Sequence, residues 1–210
     1  MKEPLTRILM AAFLLIPAKG LAEEIKKPKF TKEKLLAIVR DAEIRYSIPS
    51  DLLHSIIIIE SDYRVDAINR SERKGVVTIS YGLGQIIMWA AEAHCNNLKS
   101  IYNPLQNVDC AARIVKYKLD RYFGNVDKAI AAYNSGTICE CNGKKYVMIL
   151  NRKTVTCGDS RKCNKKGEFA NQEYVDLVNK VYKKTMGYKK RKEEKEKARK
   201  LVIYSNGTTA

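Results

Sequence analysis

Histidine is nearly missing from this chain: its 210 residues include only His54 and His94. Neither stands in a ligand pattern with other histidines, cysteines or acids, so a histidine-based metal centre is excluded and no metal is expected. Long apolar runs are missing too. The most apolar stretch, Ile8 to Pro17, falls well short of the roughly 20 residues that a membrane-spanning helix needs, and no later segment qualifies. There is no internal repeat, which excludes a repeat architecture, and only the lysine-rich C-terminal end is low in complexity. Acidic side chains are scarce beside basic ones, 23 against 39, for a net charge of +16. Such a balance draws a protein to anionic surfaces, whether wall polymer, lipid headgroup or nucleic acid.

What is present starts with a leader. Lys2 and Arg7 precede the apolar stretch, and Gly20-Leu21-Ala22 supplies the small residues that signal peptidase prefers. Residues 1–22 are therefore expected to be a cleaved secretory signal, with the mature protein periplasmic or secreted. Export turns the six cysteines, Cys95, Cys110, Cys139, Cys141, Cys157 and Cys163, toward disulfides rather than zinc. Proximity pairs Cys95 with Cys110 and leaves the other four among themselves. Between Lys183 and Lys200 ten basic side chains face three acidic ones. Residues 185–210 thus read as a basic tail, a solvated helical extension able to touch an anionic surface.

Apolar spacing makes the mature chain mainly helical. A helix follows Thr31 as N-cap, with Leu35, Ile38, Val39, Ala42 and Tyr46 at helical intervals. Pro49-Ser50-Asp51 opens another, whose face carries Leu52, Leu53, Ile56, Ile57 and Glu60. Residues 61–85 form an irregular or β lobe with a strand-like patch at Val76 to Ser80. Further helices are expected from Gln85, after Asn103-Pro104, from Asn125 to Gly136, and around Tyr174 to Val181. Residues 137–168 form a cysteine-stapled arm within a catalytic domain spanning 23–184. Trp89 is read as core packing, with stacking on a sugar ring as the alternative.

Glu60 is the chemical question. It ends the run Ile56-Ile57-Ile58-Ile59, and a carboxylate beside so much hydrocarbon is costly unless paired or protonated. On the buried face of the helix its pKa would rise, giving an acid able to donate a proton near neutral pH. The alternative is an ordinary helix-end residue paired with Arg64, four positions on. His54 lies about 240° round the helix from Glu60 and is read as a packing residue.

Four segments, IIIIES at 56–61, YGLGQI at 81–86, AAYNSG at 131–136 and EYVDLVNKVY at 173–182, occur in an order and spacing that resemble lytic transglycosylases of the soluble, goose-lysozyme-like type. The resemblance covers roughly residues 44–184. It implies a lysozyme-like (goose type) helical domain with no cofactor, acting on peptidoglycan glycan strands, and no nucleic-acid partner. It implies Glu60 as the sole catalytic acid/base, Gln85 and Asn134 on the glycan, Tyr133 shaping the cleft and Tyr174 orienting Glu60, with Tyr182 as the fallback. A serine touching the acid falls to Ser80 or Ser71. The family's usual methionine after Gly-Leu is replaced by Gly84, which reads as less apolar surface and more backbone freedom. A lysozyme-type hydrolase would instead need a second carboxylate from Asp62, Asp66 or Glu72, and an inactive wall-binding or secretion-system scaffold would need none.

Overall fold

The computed structural model describes residues 30–73, 75–95, 99–142, 145–150, 153–157 and 169–206. The expected signal segment and Cys163 lie outside them. Among the described residues six helices carry the fold: α1 Lys32–Arg45, α2 Leu52–Ser61, α3 Met88–His94, α4 Pro104–Arg121, α5 Val126–Ser135 and α6 Gln172–Asn206. Two antiparallel three-stranded sheets, again among the described residues, fall between them along the chain. The first orders β1 Ile68–Arg73, β2 Val76–Tyr81 and β3 Ile86–Ile87, and the second orders β4 Glu140–Cys141, β5 Tyr146–Leu150 and β6 Lys153–Thr156. The fold is thus mainly α with a small β lobe and a stapled arm.

Helix α2 is the hub, packed against α1, α4 and α6. Its isoleucine run becomes a helix because it is enclosed on several sides: Leu52, Leu53, Ile56 and Ile57 are buried and Ile58 and Ile59 half-buried. Burial of each fully enclosed Leu or Ile contributes about 2 kcal/mol, which outweighs the mild helix aversion of β-branched side chains. The N-terminus is closed from outside the helix. Asp51 takes a left-handed φ of 69° and makes no side-chain cap. Glu43 of α1 replaces it, accepting from the Asp51 N–H at 2.9 Å and the His54 N–H at 3.1 Å. An anion at this position also meets the positive end of the helix dipole.

Local signals set the other helices. The Thr31 side chain accepts from the Lys34 N–H, Asn103 accepts from Leu105 and Gln106 with Pro104 following, and Asn125 accepts from Lys128. Helix α3 begins at Met88 rather than Gln85, because Gln85 adopts φ 47° in a turn and Ile86–Ile87 pair with β2 first. Disulfides join Cys95 to Cys110 and Cys139 to Cys157, with Cα separations of 5.2 and 6.0 Å, and Cys141 is also disulfide-bonded. The first fastens α3 to α4, and the second closes the arm.

Helix α6 runs unbroken from Gln172 to Asn206, across the boundary placed at residue 184. Its Lys189 ammonium pairs with Asp51 and donates to Ser50 Oγ at 2.9 Å. Part of the basic segment is thereby fastened to the start of α2. Among the described residues no helix is long and apolar enough to cross a membrane.

Candidate active site

Glu60 occupies the last turn of α2. Immediately beyond it Asp62 and Tyr63 both take left-handed backbone angles, φ 46° and 64°, so the chain turns away sharply and the carboxyl group is left at a corner. Ser61 locks that corner: its buried hydroxyl donates to the Leu83 carbonyl at 2.8 Å. From the far side α6 brings Tyr174, whose hydroxyl donates to Glu60 Oε1 at 2.6 Å. Burial pushes the Glu60 carboxyl up to about 7, with the Tyr174 hydrogen bond working the other way. Among the described residues no neighbouring carboxylate contributes to that shift. Arg64 does not pair with Glu60; its Nε donates to the Ser61 carbonyl at 3.2 Å.

Tyr133 completes the polar pocket. Its hydroxyl donates to the Gly84 carbonyl at 2.7 Å. Burial, and then the charge of Glu60, raise both the Tyr133 and Tyr174 phenols well above their ordinary range, so both stay neutral and serve as hydrogen-bond donors. Tyr182 lies two turns farther along α6, where burial and then Asp51 and Glu43 raise its phenol. Tyr174, not Tyr182, is the residue that reaches Glu60.

The wall opposite is the turn 82–85, built by side chains that sequence reasoning overlooked. Asn107, buried on α4, accepts from the Gly84 N–H at 2.8 Å and donates to the Tyr81 and Ile101 carbonyls at 3.0 and 2.8 Å. A Cβ on Gly82 would come within 2.4 Å of the Asn107 amide nitrogen. On Gly84 it would meet Ala111 Cβ at 2.8 Å and the Tyr133 hydroxyl at 2.9 Å. Gly84 is therefore required by close approach, and the backbone freedom inferred from sequence is not its purpose. The signal for Asn107 was available: one turn before Ala111, it places a polar side chain on the apolar stripe Ala111, Val115, Leu119.

Gln85 needs a narrower reading than the resemblance implied. Its Nε2 donates to the Gly82 carbonyl at 2.9 Å and the Ala67 carbonyl at 3.2 Å, while Oε1 accepts from Ser80 at 2.8 Å. Both amide hydrogens hold the turn in place, which leaves a ligand only the second lone pair of Oε1. Ser80 supports Gln85 rather than Glu60. Ser71 is exposed on β1, opposite Thr78. Neither serine bonds the acid among the described contacts.

Asn134 is exposed at the end of α5 and its Oδ1 accepts from Asn171 Nδ2 at 3.1 Å; Asn171 also donates to the Ala131 carbonyl at 2.9 Å. The carbonyl can only accept, so the donor must be the Asn171 amide nitrogen. That fixes which Asn134 atom faces it and turns the Asn134 NH2 group away. His54 bonds Tyr63 through Nδ1 at 2.6 Å, a packing role. Trp89, expected in the core, is instead 57% exposed.

A family model described as the transglycosylase SLT domain matches residues 37–155. This is more than half of the chain, which belongs to that family. The family's enzymes act on peptidoglycan. Tyr174 lies beyond the matched stretch, so its place beside Glu60 comes from the packing of α6. Solved structures with similarity include wild-type DslA, 22% identical over 42% of this chain and 68% of that one with a TM-score of 0.35. A glutamate-to-glutamine mutant of DslA is 16% identical over 70% of this chain and 88% of that one, with a TM-score of 0.37.

Proposed function

We propose that this chain is an exported lytic transglycosylase that cleaves the β-1,4 bond between N-acetylmuramic acid and N-acetylglucosamine without consuming water. One observation carries the reading: a carboxyl group held near pKa 7 by burial, hydrogen-bonded to a neutral tyrosine and, among the described residues, without a carboxylate neighbour contributing to its shift. Glu60 in its protonated form gives its proton to the glycosidic oxygen. The C1–O bond breaks with its electron pair going to that oxygen, which becomes the 4-hydroxyl of the departing N-acetylglucosamine. Charge at C1 is relieved by the acetamido carbonyl oxygen of the same muramic residue. The resulting Glu60 carboxylate then takes the proton of the 6-hydroxyl as O6 attacks C1, closing a 1,6-anhydro ring and restoring the acid. Proton and electron pair balance with no cofactor.

Tyr174 steadies the carboxylate between the two steps, and Asn134 offers its outward NH2 group to glycan oxygens. Gln85, clamped by Ser80, keeps the turn in the conformation that lets Tyr133 line the cleft. A hydrolase with two acids would use a second carboxylate to activate a water or to attack or stabilise C1. Asp62, Asp66 and Glu72 are all exposed, and none contributes to the shift. The disulfides fit an oxidising, extracytoplasmic setting. The exposed lysines of α6, among them Lys183, Lys184, Lys190 and Lys192, suit contact with anionic wall polymer.

Digestion of murein sacculi followed by mass spectrometry of the fragments tests the proposal. Anhydromuramic ends are expected from the wild type and none from Glu60→Gln. New reducing ends would identify a hydrolase, and equal activity in Glu60→Gln would remove the assignment.

A further inference from the structure

Trp89 is the only tryptophan of the chain, and burying an indole is normally among the most favourable packing events available to a domain. Here it stays 57% exposed on the first turn of α3, four residues after Gln85. It is nonetheless supported. Its Cη2 lies where a Cβ on Gly136 would come within 3.4 Å, so the ring rests against the backbone at the C-terminal end of α5. Gly136 is itself pinned, because the buried Lys118 ammonium donates to its carbonyl. Asn134, with its outward NH2 group, stands two residues before Gly136. Gly84, which receives the Tyr133 hydroxyl, lies five residues before Trp89.

We infer that Trp89 is a sugar platform: its exposed face stacks on the apolar C–H face of a pyranose ring of the glycan strand, next to the ring bound by Asn134. An aromatic ring held near Gly136 at one end and more than half exposed loses little freedom on binding and gains the apolar area it now shows to water. Its position continues the wall formed by the turn 82–85 and the end of α5, which favours the strand proposed for the cleft over a separate protein partner. The inference deepens the proposed function and rests on it for the identity of the strand.

Because no other tryptophan interferes, intrinsic fluorescence reports on this site directly. The probe is a chitin oligosaccharide of N-acetylglucosamine, titrated into the full-length Glu60→Gln variant so that no turnover intervenes. A saturable shift of the emission is expected. In parallel, Trp89→Ala in the otherwise wild-type chain should raise KM on sacculi by about five-fold with kcat nearly unchanged, and Trp89→Phe should recover part of it. Circular dichroism confirms that each variant folds. Unchanged emission at saturating oligosaccharide, with an unchanged KM for Trp89→Ala, overturns the platform even if sacculi are cleaved. Lack of turnover by the wild type would count against the proposed function, while the fluorescence titration still decides whether Trp89 binds sugar.

Discussion

Lys189→Met should unfold this protein more easily although it lies in the lysine-rich segment that looks like a tail. Asp51 is fully buried, one carboxylate oxygen faces the Lys189 ammonium, and the other has no hydrogen-bond partner. Removing the ammonium leaves a buried carboxylate with only the Ser50 hydroxyl, 3.4 Å away. Breaking a fully buried pair from one side costs about 3–5 kcal/mol. The Lys189 side chain is 33% exposed, so water reaches the pair and the expected cost falls to about 2–3 kcal/mol. With a urea slope of about 2 kcal/mol per molar, the midpoint should drop by about 1 M or more. Lys190→Met, at an exposed neighbour, should stay within about 0.5 kcal/mol of wild type. Asn tolerates the left-handed backbone of residue 51, so Asp51→Asn combined with Lys189→Met should regain at least half of the loss. A Lys189→Met midpoint no lower than that of Lys190→Met would show that α6 is not fastened to α2 and would refute the reasoning.

Three further outcomes are expected. In Tyr174→Phe the hydrogen bond that favours the Glu60 carboxylate disappears, so its pKa rises above about 7. The falling limb of kcat/KM against pH should then move about one unit toward higher pH; a limb that stays put or moves down contradicts the assigned role. Glu60 has a folded-state pKa raised from 4.5 to about 7, so the folded form holds the extra proton across that window and wild-type stability falls as pH rises through it. Glu60→Gln should therefore match wild type near the bottom of the window and exceed it by about 3 kcal/mol at about pH 8 in urea titrations, whereas a difference independent of pH would count against it. Gly84→Met, which forces side-chain atoms between Ala111 and Tyr133, should cost about 1–3 kcal/mol and lower activity together with Tm, while a wild-type Tm would show that the gap is roomier than the contacts imply.

The helices were legible wherever the sequence carries its own start and stop. Thr31, Asn103-Pro104 and Asn125 each cap the helix they precede, and Gly136 ends α5 with φ 78°. The isoleucine run could be read as helical from the leucines before it. The start of α3 was misplaced because nothing local reveals that Gln85 will turn left-handed; the Ser80 hydroxyl and the Ala67 carbonyl impose it from elsewhere in the chain. Glu43 as the cap of α2 and Lys189 as the partner of Asp51 are tertiary pairings, separated from their partners by the folding of whole helices. Glu60 and Tyr174 were brought forward by motif resemblance, and their contact across 114 positions has no local signature. Trp89 was assigned to the core on the average behaviour of its residue type, whereas it stands 57% exposed with one end of the ring near Gly136.

The most direct measurement follows the Glu60 carboxyl carbon by 13C NMR during a pH titration of the folded protein, with Glu60→Gln identifying the resonance. A midpoint near 7 is expected from its burial. A midpoint in the ordinary glutamate range, near 4.5, would mean that the group is ionised at neutral pH and has no proton to give the glycosidic oxygen.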